Sequence, residues 1–295
     1  MSTEPLLTER DMAAASLLLG QAADKPAYIA RLTDEELRAM QGPSAGMLSG
    51  LPFLDGQENV DFAATVAVRS LIARGLLVAD SDQKEPEGNL VTTGESAPER
   101  TFQAEMTLAG LIALRRQPSA ILHLVRIVEN QKTNLVYYLF PMNGVLEELV
   151  TADGYHEFSV PTRAMVPERV ARYVDQNQVA SEEDGEAIVA TIAELDQDPT
   201  IRDTRALTVM TALGNDADEL QASIMATSDG VFVMDQPQEG DTETEIREVS
   251  RATLLELISM AMPNPDKNSE GEAGGDSEDA GEKDAKNEET DLSAQ

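Results

Sequence analysis

The chain has 295 residues, 41% of them hydrophobic, with 54 acidic side chains against 22 basic ones and a net charge of −32. Cysteine is absent, which removes disulfides, thiol chemistry and zinc–thiolate sites together. No apolar run approaches the roughly 18 residues of a membrane span, and Met1-Ser-Thr-Glu-Pro is not a basic stretch leading into an apolar one. The expectation is a cytoplasmic globular protein that is not inserted in membrane, repels nucleic-acid phosphates and anionic lipid, and favours a basic or neutral partner.

Residues 1–79 read as an N-terminal helical region. Thr8 can cap a segment with Met12, Ala15, Ser16 and Leu19 on one face, ending at Gly20. Thr33 with Glu36 forms a capping box, and Gly42-Pro43 stops the helix that it opens. Met40 to Leu54 is loop-rich and apolar, with Met47, Leu48, Leu51, Phe53 and Leu54 crowded between breakers; it either docks a partner or packs this region on the rest. Asp61 to Leu77 carries a third helical pattern with Gly75 near its end.

Residues 80–100 are polar and rich in turn formers, the pattern of a flexible loop. The span 101–174 is the first α/β repeat. A short helix, Thr107 to Arg116, halts before Pro118, and a strand from Ser119 to Val128 hairpins through Glu129 to Asn134. Three strands follow, divided by turns at Asn143-Gly144 and Asp153-Gly154, and Thr162-Arg163-Ala164 opens a helix with Pro167 early in it. After a connector over 175–185, residues 186–262 say the same again. A helix over Glu186 to Leu195 precedes strands Arg205–Leu213, Leu220–Ala226, Val231–Met234 and Thr242–Val249, and Ser250-Arg251-Ala252 opens the closing helix. Two copies of one unit predict an α+β fold: pseudo-symmetric antiparallel strand-strand-strand-helix repeats joined edge to edge into a central sheet, their edges hidden. Residues 263–295 hold 11 acids, 3 bases and one large aliphatic residue, Leu292, and are expected to be a disordered acidic tail.

Reaction chemistry is thin. His123 and His156 lie on strands without ligand-type company, so each is expected to face solvent or a cross-strand partner, with no metal site and no cofactor. The acidic pairs, Glu147-Glu148 among them, are expected on turns and exposed strand faces, not converging on a pocket. The common nucleotide and hydrolase signatures are absent, so no enzyme activity is expected. Arg69 to Val78 sounds like a winged-helix recognition segment, but Asp80, Asp82, Glu85 and Glu87 follow it and would oppose DNA.

The plan Ala67-x-Arg69-Ser-Leu-x-Ala-Arg74-Gly75-Leu, a linker, a short helix before Pro118, a strand-rich half and a second half of like order resembles the EspG family of type VII secretion chaperones of actinobacteria, over roughly residues 8 to 262. The acidic tail and low aromatic content depart from that family. The resemblance implies a quasi-twofold sheet flanked by helices and a cytoplasmic protein that binds secreted PE–PPE-like or WXG100-like substrates. It implies contacts from the second-repeat hairpin tip (Asp235, Gln236, Gln238, Glu239, Asp241, Glu243) and from the last helix (Leu254, Leu257, Ile258). A winged-helix transcriptional regulator with a duplicated sensing or dimerisation half is the alternative. The sequence leaves monomer and homodimer equally open.

Overall fold

The computed structural model describes residues 7–79, 102–195, 197–214, 220–235 and 243–265. Most of the expected flexible loop and acidic tail, and the tip at 236–242, lie outside the described residues. The chain runs α1 (Glu9–Leu19), β1 (Ala30–Thr33), α2 (Asp34–Gln41), α3 (Val60–Ala73), β2 (Leu77–Ala79), β3 (Phe102–Ala104), α4 (Met106–Arg116), β4 (Ala120–Val128), β5 (Gln131–Phe140), β6 (Gly144–Val150), β7 (Tyr155–Ser159) and α5 (Val166–Val174). It continues through β8 (Ile188–Thr191), α6 (Ile192–Leu195), α7 (Pro199–Arg202), β9 (Ala206–Gly214), β10 (Leu220–Ala226), β11 (Val231–Asp235), β12 (Glu243–Glu248) and α8 (Arg251–Ala261).

Ten strands form one antiparallel sheet in the order β1-β7-β6-β5-β4-β9-β10-β11-β12-β8, while β2 and β3 pair separately. The order is palindromic. β4 meets β9 at the seam over eight cross-strand pairs, from Ala120 with Gly214 to Ile127 with Leu207. Outward from there β5, β6, β7 and β1 match β10, β11, β12 and β8. The edge-to-edge joining expected from the duplication is what the fold does.

The repeat starts earlier than the sequence reading placed it. Thr33 accepts from the Glu36 amide while Glu36 accepts from the Thr33 amide, and Thr191 does the same with Glu194. Thr-x-x-Glu-Leu therefore closes an edge strand and opens a helix twice, at Thr33–Leu37 and at Thr191–Leu195. The segments before these strands correspond as well. Ala23 bridges Pro161 and Asp24 accepts from Thr162, while Ser181 bridges Ser250 and Asp184 accepts from the Ser250 amide. The helix expected over Glu186 to Leu195 is thus a strand and one helical turn, since Ile188 and Val189 extend along β12. β1 falls within the stretch expected to be helical; four residues are too few for an alternation to show.

One face of the sheet is covered by α5 and α8, whose Val166, Val170, Val174, Leu254 and Ile258 pack on Leu122, Leu124, Tyr137, Met210 and Ile224 from both halves. That cluster crosses the seam and makes a single core. On the other face the halves differ. α1, α2, α3 and α4 cover the first half through Leu18, Leu37, Leu71 and Leu111 on Val136, Tyr138 and Phe158. The second half has only α6 and α7, which lay Leu195 and Ile201 on Met225, Phe232 and Ile246.

Candidate functional site

Beneath the N-terminal helices lies a buried polar cluster assembled from five segments. β7 supplies His156, β6 Glu148, β5 Tyr138, the first turn of α2 Asp34, and the last turn of α4 Arg115. The His156 ring stands with Nδ1 2.6 Å from a Glu148 oxygen and Nε2 2.7 Å from an Asp34 oxygen, all three side chains fully buried. The other Glu148 oxygen accepts from Arg115 Nε at 2.9 Å and from the Tyr138 hydroxyl. Arg115 also donates to the Ala45 carbonyl, to Ser49 Oγ and to Gln41. The second Asp34 oxygen takes the amides of Phe53 and Leu54, at 2.7 and 3.1 Å.

The charges follow from this geometry. A histidine facing a carboxylate on each side must donate from both nitrogens and is an imidazolium. Burial alone would lower its pKa, but Asp34 and Glu148 raise it above the ordinary value. Burial alone would raise Glu148, but the Arg115 guanidinium, with His156, brings it down to about 2. Two cations and two anions cancel, as a desolvated network must.

This placement corrects the sequence reading in part. His156 does meet a cross-strand partner, Glu148 of β6, but it is fully buried and has a second acid, Asp34, against it, where the sequence showed no such company. Glu147 and Glu148 are not solvated either. Neighbours on a strand point to opposite faces, so Glu148 lies under α4 while Glu147 lies under α5, paired with Arg169 and accepting from Ser159 at 2.9 Å. His123 is half-buried on the seam, and burial lowers its pKa.

The cluster looks like acid–base machinery and is not arranged as such. Both imidazole nitrogens are engaged, and no hydroxyl or thiol stands against the ring as a nucleophile. A surface pocket of about 360 Å³ is lined by other residues: it holds Arg126, which sits over the Tyr173 ring, and Arg205, which pairs with Asp203. The second repeat adds an internal comparison. Aligning the copies on Gly144 with Gly230, Arg163 with Arg251 and Thr33 with Thr191 places Met234 at Glu148, Thr244 at His156 and Ile192 at Asp34. Met234 thus stands in the place of Glu148 and the buried Thr244 in the place of His156, so the second repeat pairs the corresponding strands without this charged network. Among the described residues no group of histidine, aspartate and glutamate side chains could hold a metal ion.

The expected partner-contact residues scatter. Asp235 ends β11 and Glu243 begins β12, while Gln236, Gln238, Glu239 and Asp241 lie outside the described residues. Leu254 and Ile258 are fully buried in the core and Leu257 packs against it, so α8 turns these side chains towards its own sheet and not outwards. Of the apolar stretch Met40 to Leu54, Leu54 is buried and Leu48 and Leu51 pack on the first-half core, whereas Met47 and Phe53 are exposed. Arg74 is not free for phosphate: it pairs with Glu36 and donates to the Arg31 carbonyl at 2.9 Å.

Among the described residues, none of the helices covers the seam on the helix-poor face. Register puts His123, Val125 and Ile127 of β4 beside Thr211, Val209 and Leu207 of β9 on that face, with Leu213 further along. Val125, Leu207 and Val209 are half-buried, and Ile127 and Leu213 are exposed. The strip is apolar in an otherwise acidic protein. Nothing in the sequence marked it, because alternation shows two faces of a strand but not which helices fail to cover one. Among the described residues no helix is long and apolar enough to cross a membrane. Comparison with models of known protein families and with characterised proteins finds no match.

Proposed function

We propose that this is a non-enzymatic, cytoplasmic protein-binding chaperone or adaptor, of the kind that the resemblance to type VII secretion chaperones implies. The bare apolar seam carries the reading. A strip of half-buried Val125 and Val209 with exposed Ile127 and Leu213 marks an interaction site. His123 stays neutral there at physiological pH because burial lowers its pKa, so the strip carries no charge that would bar an apolar partner. A partner's apolar helical tip, of the PE–PPE-like or WXG100-like kind, would be shielded by shape complementarity while the acidic body keeps the complex in solution. No nucleic acid is involved, since Arg74 and Arg38 are engaged by Glu36 and Asp61.

The test is affinity capture from native lysate with the wild-type chain and with Val209→Glu. A stoichiometric protein partner that crosslinks to β4 and β9 and is lost in the variant supports the reading. Absence of a partner, or capture unaffected by a glutamate on the open face of the seam, removes it.

A further inference from the structure

The two ends of the ten-stranded sheet are equivalent by the duplication and are finished differently. Along an antiparallel strand the main-chain groups of alternate residues point to the same side. In β1 the Thr33 amide turns away from β7 to the Glu36 carboxylate, so the Arg31 main chain, two residues back, faces outwards as well. Its carbonyl is closed by Arg74, which reaches across from the end of α3. In β8 the Thr191 amide turns to Glu194 in the same way, which sends the N–H and C=O of Val189 outwards. Among the described residues the second repeat has no counterpart of α3, and no side chain there reaches the Val189 main chain as Arg74 reaches Arg31. Beside that open edge Ile188 and Val189 are 52% and 62% exposed.

An edge strand with free main-chain groups and β-branched, exposed side chains is a template for another strand. Its surroundings select the occupant. Glu182, Glu183, Asp184, Glu186, Glu194, Glu243 and Glu245 lie on and beside β8 and are exposed; no lysine stands among them, and Arg247, the arginine beside them on β12, is half-buried. A second copy would bring the same acids against these, a like-charge contact that opposes pairing. The flanking charge complements a basic segment.

We propose that β8 is a β-augmentation site for an extended segment of another polypeptide, with β-branched residues in the middle and lysine or arginine at both ends. Main-chain hydrogen bonds to Val189 give the pairing, and the acidic surround gives orientation and selectivity. The site is separate from the seam, so it holds whether or not that surface captures a partner.

The probe is a synthetic peptide of alternating valine and threonine with two lysines at each end, titrated calorimetrically into the full chain. Two further versions carry N-methyl groups on alternate amides, one on each edge. Binding with a Kd below about 1 mM is expected, with one methylated version weakened about tenfold or more and the other unaffected. Val189→Pro, which removes the outward N–H at an edge where proline is tolerated, weakens the unmethylated peptide to a similar degree. Val209→Glu leaves it unchanged. No binding, equal binding of both methylated peptides (charge adhesion alone), loss of binding in Val209→Glu, or a wild-type dimer in sedimentation that Val189→Pro dissociates would each overturn the proposal. The methylated pair is read on the wild-type chain and so does not depend on the proline variant folding.

Discussion

His156 is the side chain on which the fit of the N-terminal helices turns. It touches Asp34 of α2 and Glu148 of β6, with Arg115 of α4 and Tyr138 of β5 completing the shell, so four elements depend on one proton. The pKa of His156 is raised on folding above 6.5, so its contribution is fully present below that value and is lost as pH rises through the folded pKa. Glu148 goes from 4.5 to about 2, so its contribution is present above 4.5 and is lost as pH falls towards 2. Stability from this network is therefore complete between pH 4.5 and 6.5 and declines on both sides. Urea unfolding at pH 5.5 and at higher pH should show a lower midpoint in alkali. His156→Phe leaves two carboxylates buried together and should cost about 3–5 kcal/mol near neutrality. Its alkaline slope should vanish, and acid should stabilise it by protonating one carboxylate. A variant with the wild-type pH profile would mean that the imidazole is not the titrating group.

At the scale of elements, two glycines decide how closely the helical layer approaches. Gly110 lies in the middle of α4, where a Cβ would come within 2.6 Å of the Ala14 carbonyl oxygen of α1. Alanine gains about 1 kcal/mol in helix propensity over glycine, but overpacking against backbone costs about 1–3 kcal/mol. The clash wins because a main-chain oxygen cannot rotate aside. Gly110→Ala should lower stability by up to roughly 2 kcal/mol on that balance, with faster amide exchange confined to α1 and α4. An unchanged or raised midpoint would show that α1 yields. Gly154, at φ +75° in the β6–β7 turn, lets Phe53 and Asp34 close over the network, since a Cβ there would meet Phe53 Cβ at 2.5 Å. These elements also show what the sequence made legible. The cap at Thr8, the capping box at Thr33, the turns at Asn143-Gly144 and Asp153-Gly154 and most strands of both repeats follow from local chemistry, and all are present. β1 and β8 escaped because four-residue strands carry no periodicity of their own and are set by the neighbour they pair with. The buried network escaped for a related reason. Asp34, Arg115, Glu148 and His156 are scattered through the sequence, and only the sheet and two helix ends bring them together. Thr-x-x-Glu-Leu at Thr33 and Thr191 was a readable signal that the duplication began before the strands.

At the scale of the molecule, the question is whether a duplicated chain behaves as two domains or one. The core under α5 and α8 contains Leu122, Leu124 and Tyr137 from the first repeat and Met210, Ile224 and Leu254 from the second, all buried. Neither half can keep that apolar surface from water without the other. The lower layer argues the same way by its imbalance: the second half is nearly bare there and must borrow stability across the seam. Unfolding should therefore be one cooperative transition. The chain provides a clean way to test this, because all five tyrosines, Tyr28, Tyr137, Tyr138, Tyr155 and Tyr173, lie in the first half and tryptophan is absent. Phe232→Trp places a single indole in β11, where the native ring is half-buried against Leu195 and Met225. Tryptophan emission then follows the second half and tyrosine near-ultraviolet dichroism the first. Coincident urea midpoints are expected, and Leu124→Asp, which buries a charge at the seam, should shift both together. Separated midpoints, or a shift of one signal alone, would show two independently folding halves and would detach the open seam from the rigid platform that a docking surface needs.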